Sequence, residues 1–252
     1  MPVRDTPWPA GTPCWVEVAV PDVIAATAFY GAVLGWSFVD SGEASGQYLA
    51  QVDGRAVAGI GPAAVGGGPS AWTVYLATDD ADATAALITE HGGSLRSGPV
   101  DVAGRGRAGV ALDPTGGAFG IWQPAGTIGF GIADEPGAVT WTDARLSDVG
   151  RAGAFFGAVF GHTLEPVPDA PGGYATLNLG GRPVGGVVET PAGTAPHWLT
   201  YFSVADVDAA EATAARAGAA VLMPAEDTPF GRAGIFTDPF GAVFALHQAL
   251  DG

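Results

Sequence analysis

The sequence predicts an α+β protein of four βαβββ modules arranged as two tandem halves. Three observations carry this reading. Long stretches recur at an offset of 126 residues, each half is a weaker repeat of itself, and strand-like runs alternate with alanine-rich helical ones.

The first element, Trp15-Val16-Glu17-Val18-Ala19-Val20-Pro21-Asp22, reads as a strand stopped by Pro-Asp. A helical pattern follows and ends in Ala28-Phe29-Tyr30-Gly31-Ala32-Val33-Leu34-Gly35. At an offset of 126 come Trp141-Thr142-Asp143-Ala144-Arg145-Leu146-Ser147-Asp148 and Ala154-Phe155-Phe156-Gly157-Ala158-Val159-Phe160-Gly161. Trp72-Thr73-Val74-Tyr75 returns at the same offset as Trp198-Leu199-Thr200-Tyr201. Gly106-Arg107-Ala108-Gly109 and Asp113-Pro114 return at an offset of 125 as Gly231-Arg232-Ala233-Gly234 and Asp238-Pro239.

Within each half, a strand ending in aspartate and leading into a helix occurs twice, at Asp22 and Asp80 and again at Asp148 and Asp206. Aspartate suits a helix start because its carboxylate accepts from the first free N–H groups and faces the positive end of the helix dipole. Gly35, Gly92, Gly161 and Gly218 fit the helix stops. The expected domains are residues 1–123 and 139–252. Residues 124–138, rich in Pro and Gly, link them.

Composition narrows the function. The net charge is −16, and the ten basic residues are all arginine. Phosphate binding needs clustered cations, so the sequence argues against nucleic acid and anionic membranes as partners. Apolar runs are too short to span a bilayer, and no basic-then-apolar leader opens the chain. A cytoplasmic location is expected. The single cysteine, Cys14, has no internal partner for a disulfide. Gly66-Gly67-Gly68 lacks a following lysine and is no phosphate loop. No serine, nor Cys14, has an identifiable base partner.

The strand-Pro-Asp-helix-Phe-Tyr-x-x-x-Leu-Gly pattern and the Asp113-Pro114-Thr115-Gly116 and Asp238-Pro239-Phe240-Gly241 hairpins resemble the vicinal oxygen chelate superfamily of glyoxalases, bleomycin-resistance proteins and extradiol dioxygenases. The resemblance runs from about Pro13 to Gln248. Cys14-Trp15-Val16-Glu17, with Glu135-Pro136-Gly137 leading into Trp141-Thr142-Asp143, is similar to a group of actinobacterial tandem proteins labelled "hydroxylase" or "glyoxalase-like". The resemblance implies a tandem pair of glyoxalase-like domains, each with its sheet curled into a half-open cup. In the family's enzymes a divalent metal sits in the cup, held by His, Gln or Glu from the first and last strands of the modules.

Counting seven residues back from each helix-capping aspartate gives Trp15, Thr73, Trp141 and Leu199. The last-strand positions are Gly120 and Ala245. None is a strong ligand, so no metal and no cofactor are expected. His91, His162 and His197 read as surface or capping residues. His247 shares the face of Ala245 and is a candidate polar group in the cup.

Strand side chains alternate faces, so the cups should present Trp15, Glu17, Thr73, Tyr75 and Trp122 in the first half. The second half should present Trp141, Asp143, Arg145, Tyr201 and His247. Gly120 and Ala245 should open volume. An aromatic wall with a few polar groups suits an apolar small molecule, whereas the same tryptophans could simply plug the cups as core. Arg145 could pair with Asp143, a structural role. The first expectation is metal-independent binding of a hydrophobic or aromatic small molecule, by resemblance in antibiotic sequestration or beside a natural-product pathway. The alternative is an enzyme (lyase, isomerase, hydrolase or oxygenase) with acid–base chemistry from Glu17, Asp143, His247, Tyr75 or Tyr201. A third reading is an interaction module with plugged cups. The expected assembly is a monomer or a homodimer.

Overall fold

The computed structural model describes residues 3–41, 46–64, 69–168, 170–191 and 193–250. The glycine run Gly66-Gly67-Gly68 lies outside them. The first half runs β1 (Pro13–Val20), α1 (Val23–Leu34), β2 (Ser37–Asp40), β3 (Tyr48–Val52), β4 (Arg55–Pro62), β5 (Trp72–Ala77), α2 (Ala81–Glu90), β6 (Ser94–Val102), β7 (Gly106–Leu112) and β8 (Ala118–Pro124). The second half runs β9 (Val139–Leu146), α3 (Val149–Phe160), β10 (Thr163–Pro166), β11 (Ala175–Leu179), β12 (Arg182–Glu189), β13 (His197–Ser203), α4 (Val207–Arg216), β14 (Ala220–Thr228), β15 (Gly231–Thr237) and β16 (Val243–Gln248).

Each half forms one eight-stranded sheet, in the order β2-β3-β4-β1-β5-β8-β7-β6 and β10-β11-β12-β9-β13-β16-β15-β14. The chain therefore has a mixed α+β fold of two tandem domains, each built on one eight-stranded sheet. β1 runs antiparallel to β5 at the centre, and each pairs in parallel with a strand of its own module, β1 with β4 and β5 with β8. A right-handed helical crossover is the normal way to join such parallel neighbours.

The helix starts follow from the four aspartates. Asp22, Asp80, Asp148 and Asp206 each accept from the backbone N–H three residues on, at 2.8–3.0 Å. Gly35 and Gly161 cap α1 and α3 in the left-handed region, at φ 71° and 76°.

Alternation along the strands divides the side chains between two faces. Val16, Val18, Val74, Leu76, Phe119 and Ile121 of one half lie in the same core as Ala144, Leu146, Trp198, Phe202, Phe244 and Leu246 of the other. The two sheets thus share one core on their helix-bearing faces. α1 packs on α4, α2 on α3, and Trp72 meets Phe202 with ring centroids 5.1 Å apart. The opposite faces form the cups.

Two contacts across this core obey the repeat. Trp36 Nε1 donates to Gly137 O at 2.6 Å, and its equivalent His162 places Nε2 2.8 Å from Gly11 O. Gly11 and Gly137 are themselves 126 apart. His162 is therefore only 5% exposed, not the surface or capping residue the sequence suggests. It takes the place of a core tryptophan, and burial depresses its pKa. His91 does cap α2, and His197 lies against the Ala195 carbonyl.

The segment from Ala125 to Ala138 is packed rather than loose, since Phe130 and Ile132 are buried. Among the described residues no helix is long and apolar enough to cross a membrane.

Candidate functional site

In both halves the central strands bring an indole, an acid and a tyrosine together. Trp15 lies opposite Tyr75 and Glu17 opposite Thr73. Trp141 lies opposite Tyr201 and Asp143 opposite Leu199. Diagonal neighbours on one sheet face are within reach of long side chains, and each tyrosine uses that reach. Tyr75 Oη donates to Glu17 Oε1, and Tyr201 Oη donates to Asp143 Oδ2 at 2.9 Å.

The two small residues on the last strands have a different role from the one expected. Gly120 is paired with Tyr75, and a Cβ there would overlap the tyrosine ring. Ala245 is paired with Tyr201 and is fully buried. Gly120 does not open volume; it makes a bed for the Tyr75 ring, and Ala245 stands at the matching place beside Tyr201. Gly120→Ala should push the Tyr75 ring off its bed and lower stability by roughly 1–3 kcal/mol, as overpacking does. A urea melt of the variant checks this.

The first cup is apolar around its acid. Tyr75, Ala77, Trp122 and the fully buried Cys14 cluster there, with Trp8 and Trp15 packed on them. Trp122 Nε1 donates to Thr127 O at 3.2 Å. Thr73 is half-buried beside Glu17. Burial pushes the Glu17 carboxyl above its ordinary value, and the Tyr75 bond only partly opposes this. The Tyr75 hydroxyl is raised in turn, by burial and then by the neighbouring acid.

A raised acid pKa means that the folded state binds a proton the unfolded chain has lost. Its stabilising contribution is complete below the ordinary value of 4.5 and is lost as pH rises through the higher folded value. Glu17→Gln removes that titration. Wild-type stability should therefore fall relative to Glu17→Gln as pH is raised from 4.5 to neutrality, in parallel thermal melts; a constant difference would contradict it.

The second cup is a closed hydrogen-bonded cluster. Asp143, 3% exposed, accepts from Trp141 Nε1 at 2.9 Å and Tyr174 Oη at 2.8 Å on Oδ1, besides Tyr201 on Oδ2. Arg145 NH2 donates to Tyr201 Oη at 3.3 Å, so its charge reaches the acid through the tyrosine. Burial raises the Asp143 pKa against the three donors and the Arg145 charge. Gly186 lies opposite Asp143, and a Cβ there would overlap both the acid and the Tyr174 hydroxyl. His247 is half-buried, with Nε2 2.9 Å from Phe230 O and a buried Nδ1 that has no partner among the described residues. Trp141 also lines a cavity of about 330 Å³ whose walls include Arg4, Trp8, Phe130, Thr142 and Arg182.

The sequence reading missed Tyr174. It stands 126 residues after Tyr48 and just ahead of β11, so the repeat itself contained the signal.

Two sheets of this order, each with its acid–tyrosine pair inside the curl, define the class: a tandem glyoxalase-like protein. Residues 14–121 and 136–246 both match the model of the Glyoxalase/Bleomycin resistance protein/Dioxygenase superfamily, and the chain belongs to that superfamily. CFP32 of Mycobacterium tuberculosis, whose name assigns it provisionally as a glyoxylase, is 37% identical over 245 residues, covering 94% of each chain. The anthracycline biosynthesis protein DnrV of Streptomyces peucetius is 34% identical, covering 96% of this chain and 94% of its own. Among solved structures, the 2,3-dioxygenase LapB of Pseudomonas sp. KL28 has a TM-score of 0.69 at 16% identity, over 97% of this chain and 94% of its own. The Mn(II)-bound glyoxalase of Novosphingobium aromaticivorans has a TM-score of 0.67 at 19% identity, over 96% and 83%. These two likenesses concern the fold.

The superfamily's metal can be tested against the donors present. The strand positions hold Trp15, Thr73 and Gly120 in one half and Trp141, Leu199 and Ala245 in the other. A threonine hydroxyl is the only oxygen among these side chains, and a divalent ion needs several strong donors. Among the described residues no three His, Cys, Asp or Glu side chains converge into a metal-binding group. The donor set does not fit a divalent ion, and no chemistry is routed through one.

Proposed function

We propose that this protein binds a hydrophobic, aromatic small molecule and that its own side chains, rather than a metal, hold the ligand. The observation that carries this is the replacement of the chelating set, in both halves, by an indole beside a tyrosine-anchored acid. Trp15, Glu17, Thr73, Tyr75 and Trp122 would line the first cup; Trp141, Asp143, Tyr201 and His247 line the second, where Asp143 already accepts from three donors of its own. Indole and phenol rings offer flat apolar area with a polar edge, which suits a flat aromatic guest. The names of DnrV and DauV of Streptomyces sp. (strain C5), both 34% identical, place those relatives in anthracycline biosynthesis. Anthracyclines are flat polycycles, and an accessory or sequestering role beside such a pathway agrees with the same cup.

A second reading is acid–base catalysis by Glu17. The observation favouring it is the raised carboxyl pKa beside Tyr75, a common property of functional acids. Tryptophan fluorescence titration with planar aromatic probes tests the binding reading. Saturable quenching at micromolar probe supports it, and Trp15→Phe should reduce the signal change. No quenching by any probe, with Trp15→Phe altering stability alone, would make the tryptophans core plugs. Conversion of a bound probe would favour the catalytic reading.

A further inference from the structure

We infer that the first cup is the working site, and that Glu17 receives a hydrogen bond from a free hydroxyl on a planar aromatic ligand. This rests on the small-molecule reading above and says which cup acts and what it recognises.

The repeat supplies the comparison, because the same fold carries an acid at the same place twice. Asp143 shows how the fold satisfies an acid that only holds structure together. Both its oxygens are bonded, three donors converge on it, and a guanidinium stands behind Tyr201. Glu17 has none of this beyond the tyrosine. Tyr75 is its one hydrogen-bond donor among the described residues, and Oε2 has no partner there. Glu17 is half-buried where Asp143 is sealed.

The residues that complete the second cluster are changed in the first half. Position 145 is arginine and its equivalent is Ala19, so no cation backs Glu17. The equivalent of Tyr174 is Tyr48, which does not bond to Glu17. Space differs too. A Cβ at Gly186 would overlap the Asp143 cluster, whereas at Gly59, opposite Glu17, it would meet Glu17 Cβ at 3.3 Å and Trp15 Nε1 at 3.5 Å. The second cup is filled by its own side chains. The first keeps a carboxyl oxygen free.

The ligand class follows from these groups. A half-buried acid with no cation repels anions and accepts from a neutral donor. Glu17 Oε2 is not among the buried unpartnered oxygens, so it opens to the cup, and a ligand hydroxyl can take the place of water on it. Trp15 and Trp122 beside it favour a flat apolar body.

The test uses the full chain and two probes, 2,6-dihydroxyanthraquinone and its dimethyl ether, which has the same rings and no hydroxyl. Dissociation constants come from tryptophan quenching. Wild type should bind the dihydroxy probe about tenfold tighter, the scale of one good hydrogen bond. Glu17→Leu should bring the two probes level. Glu17→Gln, which keeps the side-chain shape, should narrow the difference with circular dichroism unchanged. Tyr174→Phe should leave the difference in place. A difference that survives both Glu17 variants, or that closes in Tyr174→Phe, overturns the assignment while the binding reading stands. Binding of neither probe overturns both.

Discussion

Tyr30→Phe should lower the free energy of unfolding by about 3 kcal/mol, and Phe156→Tyr should raise it by about 1–2 kcal/mol. The two positions are equivalents in the repeat. Tyr30 Oη donates to Asp238 Oδ2 at 2.7 Å and accepts from Trp72 Nε1 at 3.1 Å, and Asp238 is 4% exposed. One hydroxyl thus satisfies a buried carboxyl and a buried indole from opposite halves. Phenylalanine would orphan Asp238 Oδ2, though Oδ1 keeps the Phe240 and Ala242 N–H groups, and would orphan the Trp72 indole N–H; each orphaned group costs of order 1–3 kcal/mol. The other side of the repeat already shows this state. Phe156 lies 5.8 Å from Trp198 and 5.5 Å from Phe119, as Tyr30 lies 5.3 Å from Trp72 and 5.8 Å from Phe244. Without a hydroxyl there, Asp113 Oδ2 and Trp198 Nε1 are buried with no partner among the described residues. Burial raises the Asp113 pKa against its bonds to Thr115 and Gly117. Denaturant melts of both variants decide the matter. Tyr30→Phe within 1 kcal/mol of wild type, or a destabilising Phe156→Tyr, would contradict the orphan-pair account.

Asp143→Ala should cost about 3–5 kcal/mol, the scale of removing one partner from a buried charged network. Trp141 Nε1, Tyr174 Oη and Tyr201 Oη would lose their shared acceptor, and Arg145, whose buried Nε has no partner among the described residues, would lose the negative charge near it. Asp143→Asn keeps the shape and one carbonyl acceptor, so its cost should be roughly 1–2 kcal/mol. The first half provides the contrast. Glu17→Gln should change stability by well under that at low pH, since only the Tyr75 bond is at stake. Equal losses at Glu17 and Asp143 would mean that both acids are structural, and the difference between the cups would disappear.

Much of this was legible in the chain because it depends on local rules repeated four times. The capping aspartates, the strand parity and the offset of 126 place Trp15, Glu17, Tyr75, Trp141, Asp143 and Tyr201 on the cup faces without reference to packing. What the sequence did not yield lies in contacts between distant segments. The diagonal donation from each tyrosine to each acid needs the β1–β5 and β9–β13 register. Gly120 looked like vacated space because a ring from the neighbouring strand is invisible along one strand. His162 looked like a turn residue because its partner, Gly11, is 151 positions away. Tyr174 was available from the repeat, but only a comparison of whole halves, beyond the metal positions, would have found it.

The account stands most directly on calorimetric titration of one purified sample, before and after exhaustive chelation, with 2,6-dihydroxyanthraquinone. Side chains alone should hold the ligand, so the dissociation constant and stoichiometry should be the same in both states and unaffected by added Mn²⁺ or Fe²⁺. Binding that vanishes on chelation and returns with either metal would contradict it.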